Sequence, residues 1–170
     1  RDKSISQLVN FYNNLVLNTE TTLLFHPLKT LTATKEAYNS LKKESADNIK
    51  IVIETLDILG GKKRLNYKEL KNRDLNLCLD IGHLTRDYQE YIEVDYSEVS
   101  LVHLHSPYKE GHRALHLNKS RLTERQVKEI PKNIRIVSEV ALPYLEGETF
   151  KEKMKSYERE LEYIRYLKEC

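Results

Sequence analysis

Histidine and carboxylate residues follow apolar segments repeatedly in this 170-residue chain. Five of the six histidines lie between Leu75 and His116, each at or just beyond the end of an apolar, β-prone run. Histidine, aspartate and glutamate are the usual protein ligands of zinc, and they also bind manganese and iron. The sequence therefore predicts a metal site, and its first candidate ligands are His26, Glu54, Asp80, His83, His103 and Glu139.

The segments before these residues have the composition of buried strands. Five runs of apolar and β-branched residues predict strands, at residues 21–26, 48–55, 75–81, 99–105 and 134–140. A sixth, very short strand is expected at Ala114–Leu117. Amphipathic spacing predicts helices at residues 5–17, 32–45, 67–71, 122–130 and 150–167.

Strands that alternate with helices and are apolar through their centres indicate an α/β fold with a parallel sheet. In such folds the loops after the strands build the active face, so the candidate ligands are expected to meet at one end of the sheet. A single histidine at a strand end is more often a structural residue. A solvated end would use Lys, Ser and Asn as freely, however, so the recurrence of His, Asp and Glu favours metal binding.

Other polar residues are weaker candidates for the metal site or for substrate binding. His105 could orient a metal ligand, although a structural role is preferred, and His116 is expected to be a structural residue at the surface. The basic run Lys62-Lys63-Arg64 could meet a phosphate, but a solvated turn is the preferred interpretation.

Composition limits the class of protein. The chain has 28 Lys and Arg against 26 Asp and Glu, a net charge of +2, which does not by itself indicate nucleic-acid or membrane binding. Cys78 and Cys170 form neither a disulfide framework nor a zinc motif, and no signal peptide or membrane span is recognisable. We expect one soluble, cytoplasmic domain over residues 1–170.

Six short motifs give the chain a resemblance to the superfamily of xylose-isomerase-like TIM barrels. This superfamily includes the endonuclease IV type of apurinic endonuclease, AP endonuclease family 2, and sugar phosphate isomerases and epimerases. The motifs occur in the order Phe25-His26-Pro27, Ile53-Glu54, Cys78-Leu79-Asp80-Ile81-Gly82-His83, Val102-His103-Leu104, Glu110-Gly111-His112 and Val137-Ser138-Glu139. The resemblance implies a (β/α) barrel that lacks its first two strands, completed by self-association or by a missing N-terminal segment.

The endonuclease branch of this superfamily implies three metal sites. His26 and Glu54 would hold the first metal, and Glu54 would bridge it to a second metal held with Asp80, His103 and Glu139. The third site would comprise His83, Glu110 and His112. Glu110 departs from the pattern, since the family usually has aspartate there, and Ala114–Asn118 replaces a glycine-rich stretch.

Three functions remain open. The leading hypothesis is a metal-dependent phosphodiester hydrolase that uses a metal-activated hydroxide, acting on a small phosphodiester or on abasic DNA. The near-neutral net charge weakens the DNA alternative. The second is a single-metal sugar isomerase or epimerase, in which Glu54 and Glu139 move a proton and Arg113 is a candidate residue beside the substrate. Against it, epimerases often have an arginine soon after the histidine that resembles His103, and Arg113 is the nearest one here. The third is a degenerate barrel that binds a ligand or a partner.

Overall fold

The computed structural model describes residues 21–55, 58–59, 62–63, 65–88, 90–107 and 112–169. The predicted helix at residues 5–17 and the candidate ligand Glu110 lie outside these ranges. The chain divides into two compact units, Arg1–Leu77 and Cys78–Cys170. Among the described helices, none combines the length and the apolar composition that a membrane span requires.

Unit 1 is built on a pair of parallel strands, β1 and β2. Its elements are β1 (Thr21–Phe25), α1 (Leu31–Glu44), β2 (Ile49–Glu54), the two-residue strands β3 (Ile58–Leu59) and β4 (Lys62–Lys63), and α2 (Tyr67–Leu70). In the β1–β2 register Thr21 lies opposite Ile49 and Phe25 opposite Ile53. The two strands therefore end at the same edge. Glu54 is the last residue of β2, and His26 directly follows β1.

Side-chain caps fix where the helices of unit 1 begin. The Thr30 hydroxyl accepts a hydrogen bond from the Ala33 amide (3.2 Å) at the start of α1. Asn66 and Glu69 form a reciprocal capping box around the start of α2. A side-chain oxygen thus accepts from one helix amide at each of these N-termini.

Unit 2 begins at Cys78, the second residue of strand β5, and continues with two further parallel strands. Its elements are β5 (Leu77–Asp80), α3 (Ile81–Tyr88), a 3₁₀ turn (Tyr96–Glu98), β6 (Val99–Leu104), α4 (Arg121–Glu129), β7 (Arg135–Ser138), a second 3₁₀ turn (Leu142–Tyr144) and α5 (Phe150–Glu169). Strand β6 lies between β5 and β7. β6 and β7 pair in parallel, with Leu101 opposite Arg135 and Leu104 opposite Ser138.

Burial differs sharply among the strands of unit 2. All four residues of β5 are buried and five of the six residues of β6 are buried, whereas β7 alternates between exposed and half-buried residues. The central strands are therefore as apolar as a parallel sheet covered on both faces requires. The candidate ligands at their ends therefore lie on the most deeply buried strands of this unit.

The predicted class, α/β with parallel strands, is confirmed, since β1 pairs in parallel with β2 in unit 1 and β6 pairs in parallel with β7 in unit 2. The predicted sixth strand at Ala114–Leu117 is wrong, because this segment is a turn in which the Ala114 carbonyl accepts from the Asn118 amide (3.1 Å). The amides of Leu115 and His116 donate instead to the buried carboxylate of Glu160 on α5 (2.9 Å each). These two amides are consequently not available for hydrogen bonds to a neighbouring strand.

Candidate metal centre

Asp80 is the residue around which the site in unit 2 is arranged. It is the last residue of β5, is only 1% exposed, and directly precedes α3. Its Oδ1 accepts a hydrogen bond from the His83 amide (2.8 Å), the contact expected of a residue that caps a helix. The same turn places Nε2 of His83 3.7 Å from Oδ2 of Asp80. One strand-to-helix turn therefore brings two predicted ligands together.

His105 follows β6 and points its ring at the same carboxylate. Its Nδ1 donates to the Ser106 carbonyl (2.7 Å), so the proton of the neutral ring is on Nδ1 and the lone pair is on Nε2. Nε2 lies 3.1 Å from Oδ1 of Asp80. The backbone thus fixes the tautomer in which Nε2 can bind a cation.

Gly82 makes room for this ring. A Cβ atom at position 82 would lie 2.3 Å from Cε1 of His105, a distance at which one of the two groups must move. A glycine in the first turn of a helix is unfavourable by itself. Close approach of His105 to α3 explains its presence here.

His112 completes a cluster of four potential ligands. The His112 ring centroid is 4.4 Å from that of His105 and 6.0 Å from that of His83, in edge-on arrangements. One ligand atom from each of Asp80, His83, His105 and His112 lies within 4.8 Å of the others. We refer to these four residues as the histidine cluster.

Asp80 also belongs to a second group in unit 2. Glu139 follows β7, and its amide donates to the Leu104 carbonyl (2.9 Å), which extends the pairing of β6 with β7. Oε2 of Glu139 then lies 3.3 Å from Nδ1 of His103. One ligand atom from each of Asp80, His103 and Glu139 lies within 4.8 Å of the others. We refer to these three residues as the carboxylate trio.

The electrostatic environment keeps both carboxylates ionised. Burial by itself would raise the pKa of Asp80, but the neighbouring imidazoles of His105 and His83 outweigh burial, and the pKa is lowered. Interaction with the His103 imidazole likewise lowers the pKa of Glu139, against the effect of burial. For His105, burial lowers the pKa, but Asp80 outweighs it and the pKa is raised.

These donors fit a divalent cation. Oε2 of Glu139 is shielded from solvent, and Nδ1 of His103 lies 3.3 Å from it. Ionised carboxylates beside several imidazoles suit a metal such as zinc, because they supply the charge and the imidazoles supply neutral nitrogen ligands. The buried His, Asp and Glu groups of unit 2 could therefore hold a metal ion.

Two predicted ligands also meet in unit 1. Nε2 of His26 lies 2.7 Å from Oε2 of Glu54. Glu54 is 3% exposed, whereas the His26 side chain is half-exposed. The aligned ends of β1 and β2 explain the contact.

The remaining candidates have other surroundings. The guanidinium of Arg113 lies over the Tyr144 ring, 5.3 Å from its centroid, and the Arg113 backbone forms an antiparallel bridge with Ser106. His116 is not a surface residue, since its side chain is 12% exposed and its Nδ1 lies 2.7 Å from Oε2 of the buried Glu160. The structure therefore gives both residues packing contacts in unit 2.

Sequence reasoning missed helix α3 and the position of His105 in the cluster. Asp80 stands three residues before His83, and Ile81, Leu84 and Tyr88 have helical spacing, which together would have indicated a capped helix. Gly82 obscured that pattern. For His105 the signal was its separation from His103 by one residue, which places both at the same strand end.

Comparison with known proteins finds no match: no family model, no curated protein and no solved structure matches the chain.

Proposed function

We propose that the chain is a metal-dependent phosphodiester hydrolase. The observation that carries this proposal is that Asp80 belongs to both the histidine cluster and the carboxylate trio. A carboxylate has two oxygens and can bridge two cations, and pairs of metals about 3.5–4 Å apart are typical of enzymes that cleave phosphate esters. A single metal would not need six ligands, so the arrangement favours more than one metal.

Zinc is the metal that the ligands favour. Three imidazoles and one carboxylate match its preference for nitrogen and oxygen donors in a four-coordinate site. Manganese and iron accept the same ligand types and remain alternatives. All four ligands of the histidine cluster are protein side chains, which favours tight binding of the ion.

The side chains of unit 2 have distinct tasks in this proposal. When bound, the metals lower the pKa of a coordinated water and neutralise charge that develops on the phosphate. Asp80 belongs to both groups of ligands and links them. The Ser106 carbonyl holds His105 in its metal-binding tautomer. The Glu139 side chain is 38% exposed, so its carboxylate is accessible for the proton transfer that this proposal assigns to it.

We also propose membership of the xylose-isomerase-like superfamily, in its endonuclease branch. The parallel α/β class and the contacts of predicted ligands within each unit support it. A small phosphodiester is preferred to abasic DNA as substrate, since the net charge of +2 offers little attraction for a nucleic-acid backbone.

The proposal is tested by hydrolysis of bis(4-nitrophenyl) phosphate by the zinc-loaded protein. We expect turnover that requires metal and is reduced about 100-fold or more in Asp80→Asn, which loses the shared ionised carboxylate. Asp47→Asn makes the same chemical change at an exposed position of unit 1 and serves as the control. A protein with one metal that turns over ketoses but no phosphodiester would instead be the isomerase, and a protein that holds no metal would contradict both enzymes.

A further inference from the structure

A cavity of about 400 Å³ opens beside the candidate metal centre in unit 2. It lies between the segment that follows β7 and helix α5. Its volume is within the range of pockets that bind small organic molecules, about 300–1,000 Å³. The described residues that line it are His112, Ser138, Glu139, Val140, Ala141, Leu142, Leu145, Met154 and Tyr157.

The cavity is continuous with the candidate ligands. Its wall includes His112 of the histidine cluster and Glu139 of the carboxylate trio. A molecule held in it would therefore contact a residue from each group. The hydroxyl of Ser138 is buried at this polar end and has no hydrogen-bond partner among the described residues.

Most of the other lining residues are apolar. They are chiefly Val140, Ala141, Leu142, Leu145 and Met154. Leu142 and Met154 are 49% and 37% exposed, so apolar surface is left uncovered at the opening. No lysine or arginine is found among the described residues that line the cavity.

This distribution of polar and apolar groups fits one kind of ligand. A polyanionic chain would need cationic side chains along its path, and the described walls offer none. A molecule with one charged end and one apolar end would place its charge at His112 and Glu139, where the metals would bind. Its apolar end would then lie against the leucines and Met154.

We propose that this cavity binds the apolar organic substituent, aromatic or aliphatic, of a phosphoester whose phosphoryl group lies at the metal centre. The inference rests on the proposed hydrolase function and specifies its substrate class. It makes the protein selective for small, amphiphilic phosphoesters. Selectivity would come from the apolar area that binding removes from water.

The first test compares phenylphosphonate with methylphosphonate as ligands of the zinc-loaded protein, by isothermal titration calorimetry. Both carry the same anionic group, and only the first has a ring to fill the cavity. We expect phenylphosphonate to bind about tenfold more tightly. Equal affinities would overturn the cavity proposal and leave the hydrolase proposal intact.

Two variants of α5 locate the effect. Met154→Gln places an amide of nearly equal size in the apolar wall and should reduce the preference for the phenyl compound about fivefold. Leu161→Gln makes a similar change seven residues further along the same helix, at a position outside the lining and 40% exposed, and should keep the full preference. Equal losses in the two variants would show that the effect does not arise in the cavity.

A metal-free experiment separates the two proposals. Benzyl alcohol is neutral, and the metal-free protein offers it no cation to bind, so it reports on the apolar walls alone. We expect it to shift the methyl NMR signals of Met154, Leu142 and Leu145 and to leave that of Leu161 unchanged. Absence of these shifts would overturn the cavity proposal. Their presence, with no phosphonate binding in the zinc-loaded protein, would contradict the hydrolase proposal instead.

Discussion

Gly82 and His105 are fitted to each other, because a Cβ atom at position 82 would lie 2.3 Å from Cε1 of the His105 ring. His105 is 1% exposed and is held by the Ser106 carbonyl and by Asp80. The ring therefore has little room to retreat. The backbone of α3 at Gly82 therefore helps to fix the position of the His105 ring in the candidate metal centre.

Gly82→Ala should displace His105 and weaken zinc binding about tenfold or more. It should also destabilise the protein by about 1–3 kcal/mol, as overpacked side chains do. In a His105→Ala background the same change should be neutral or stabilising by up to about 1 kcal/mol, since alanine is the better helix former. Urea denaturation of the four proteins measures this coupling, and equal effects of Gly82→Ala in both backgrounds would contradict the account.

Arg86 should oppose metal binding at His83. Its Nη2 lies 2.5 Å from Nδ1 of His83, and a guanidinium can only donate, so this contact leaves the imidazole proton on Nε2, the nitrogen nearer Asp80. A bound cation needs a lone pair there and is also repelled by the guanidinium. Arg86→Leu should therefore tighten zinc binding roughly threefold to tenfold.

The matched control for this change is Arg125→Leu. Arg125 is an exposed arginine of α4 whose guanidinium lies over the Tyr91 ring. Zinc affinity, measured by competition with a chromophoric chelator, should not change in this variant. Weaker zinc binding in Arg86→Leu would show that Arg86 supports the site.

Glu160 should be essential for the stability of unit 2. It is fully buried on α5, accepts hydrogen bonds from the Leu115 and His116 amides, and contacts the His116 ring. Glu160→Ala would leave these buried donors without a partner and should cost about 2–4 kcal/mol. Glu162→Ala, at an exposed position of the same helix, should cost less than about 0.5 kcal/mol. Equal urea-unfolding midpoints for Glu160→Ala and Glu162→Ala would contradict this role of Glu160.

Zinc binding should release protons near neutral pH. The pKa of His105 is raised above its usual value by Asp80, so the metal-free protein keeps the proton on this ring at a higher pH than usual. Metal binding needs the neutral imidazole, so the affinity should fall as the pH is lowered. Calorimetry in buffers of different ionisation enthalpy at one pH measures the release. An observed enthalpy that does not depend on the buffer would contradict this prediction.

The strands were predictable because burial on both faces imposes an apolar, β-branched composition that is visible in the sequence. The runs at residues 75–81 and 99–105 were recognised in this way, and residues at the ends of neighbouring parallel strands share an edge. The meeting of Asp80, His103 and Glu139 in unit 2 follows from that rule.

Other features depend on contacts between distant residues and leave little trace in local composition. Ala114–Leu117 has a strand-like composition, but Glu160, more than forty residues later, takes its amides. The role of Gly82 depends on a ring that follows a different strand. Tertiary contacts outweighed local propensity at both places.

The shared carboxylate of Asp80 is tested most directly by the zinc content of the purified protein, determined by mass spectrometry of the metal together with protein concentration. The account predicts about two or more zinc ions per chain. It predicts that Asp80→Asn, if folded by circular dichroism, loses zinc from both the histidine cluster and the carboxylate trio, whereas Asp47→Asn keeps the full content. A folded Asp80→Asn protein that retains all of its zinc would contradict the central claim.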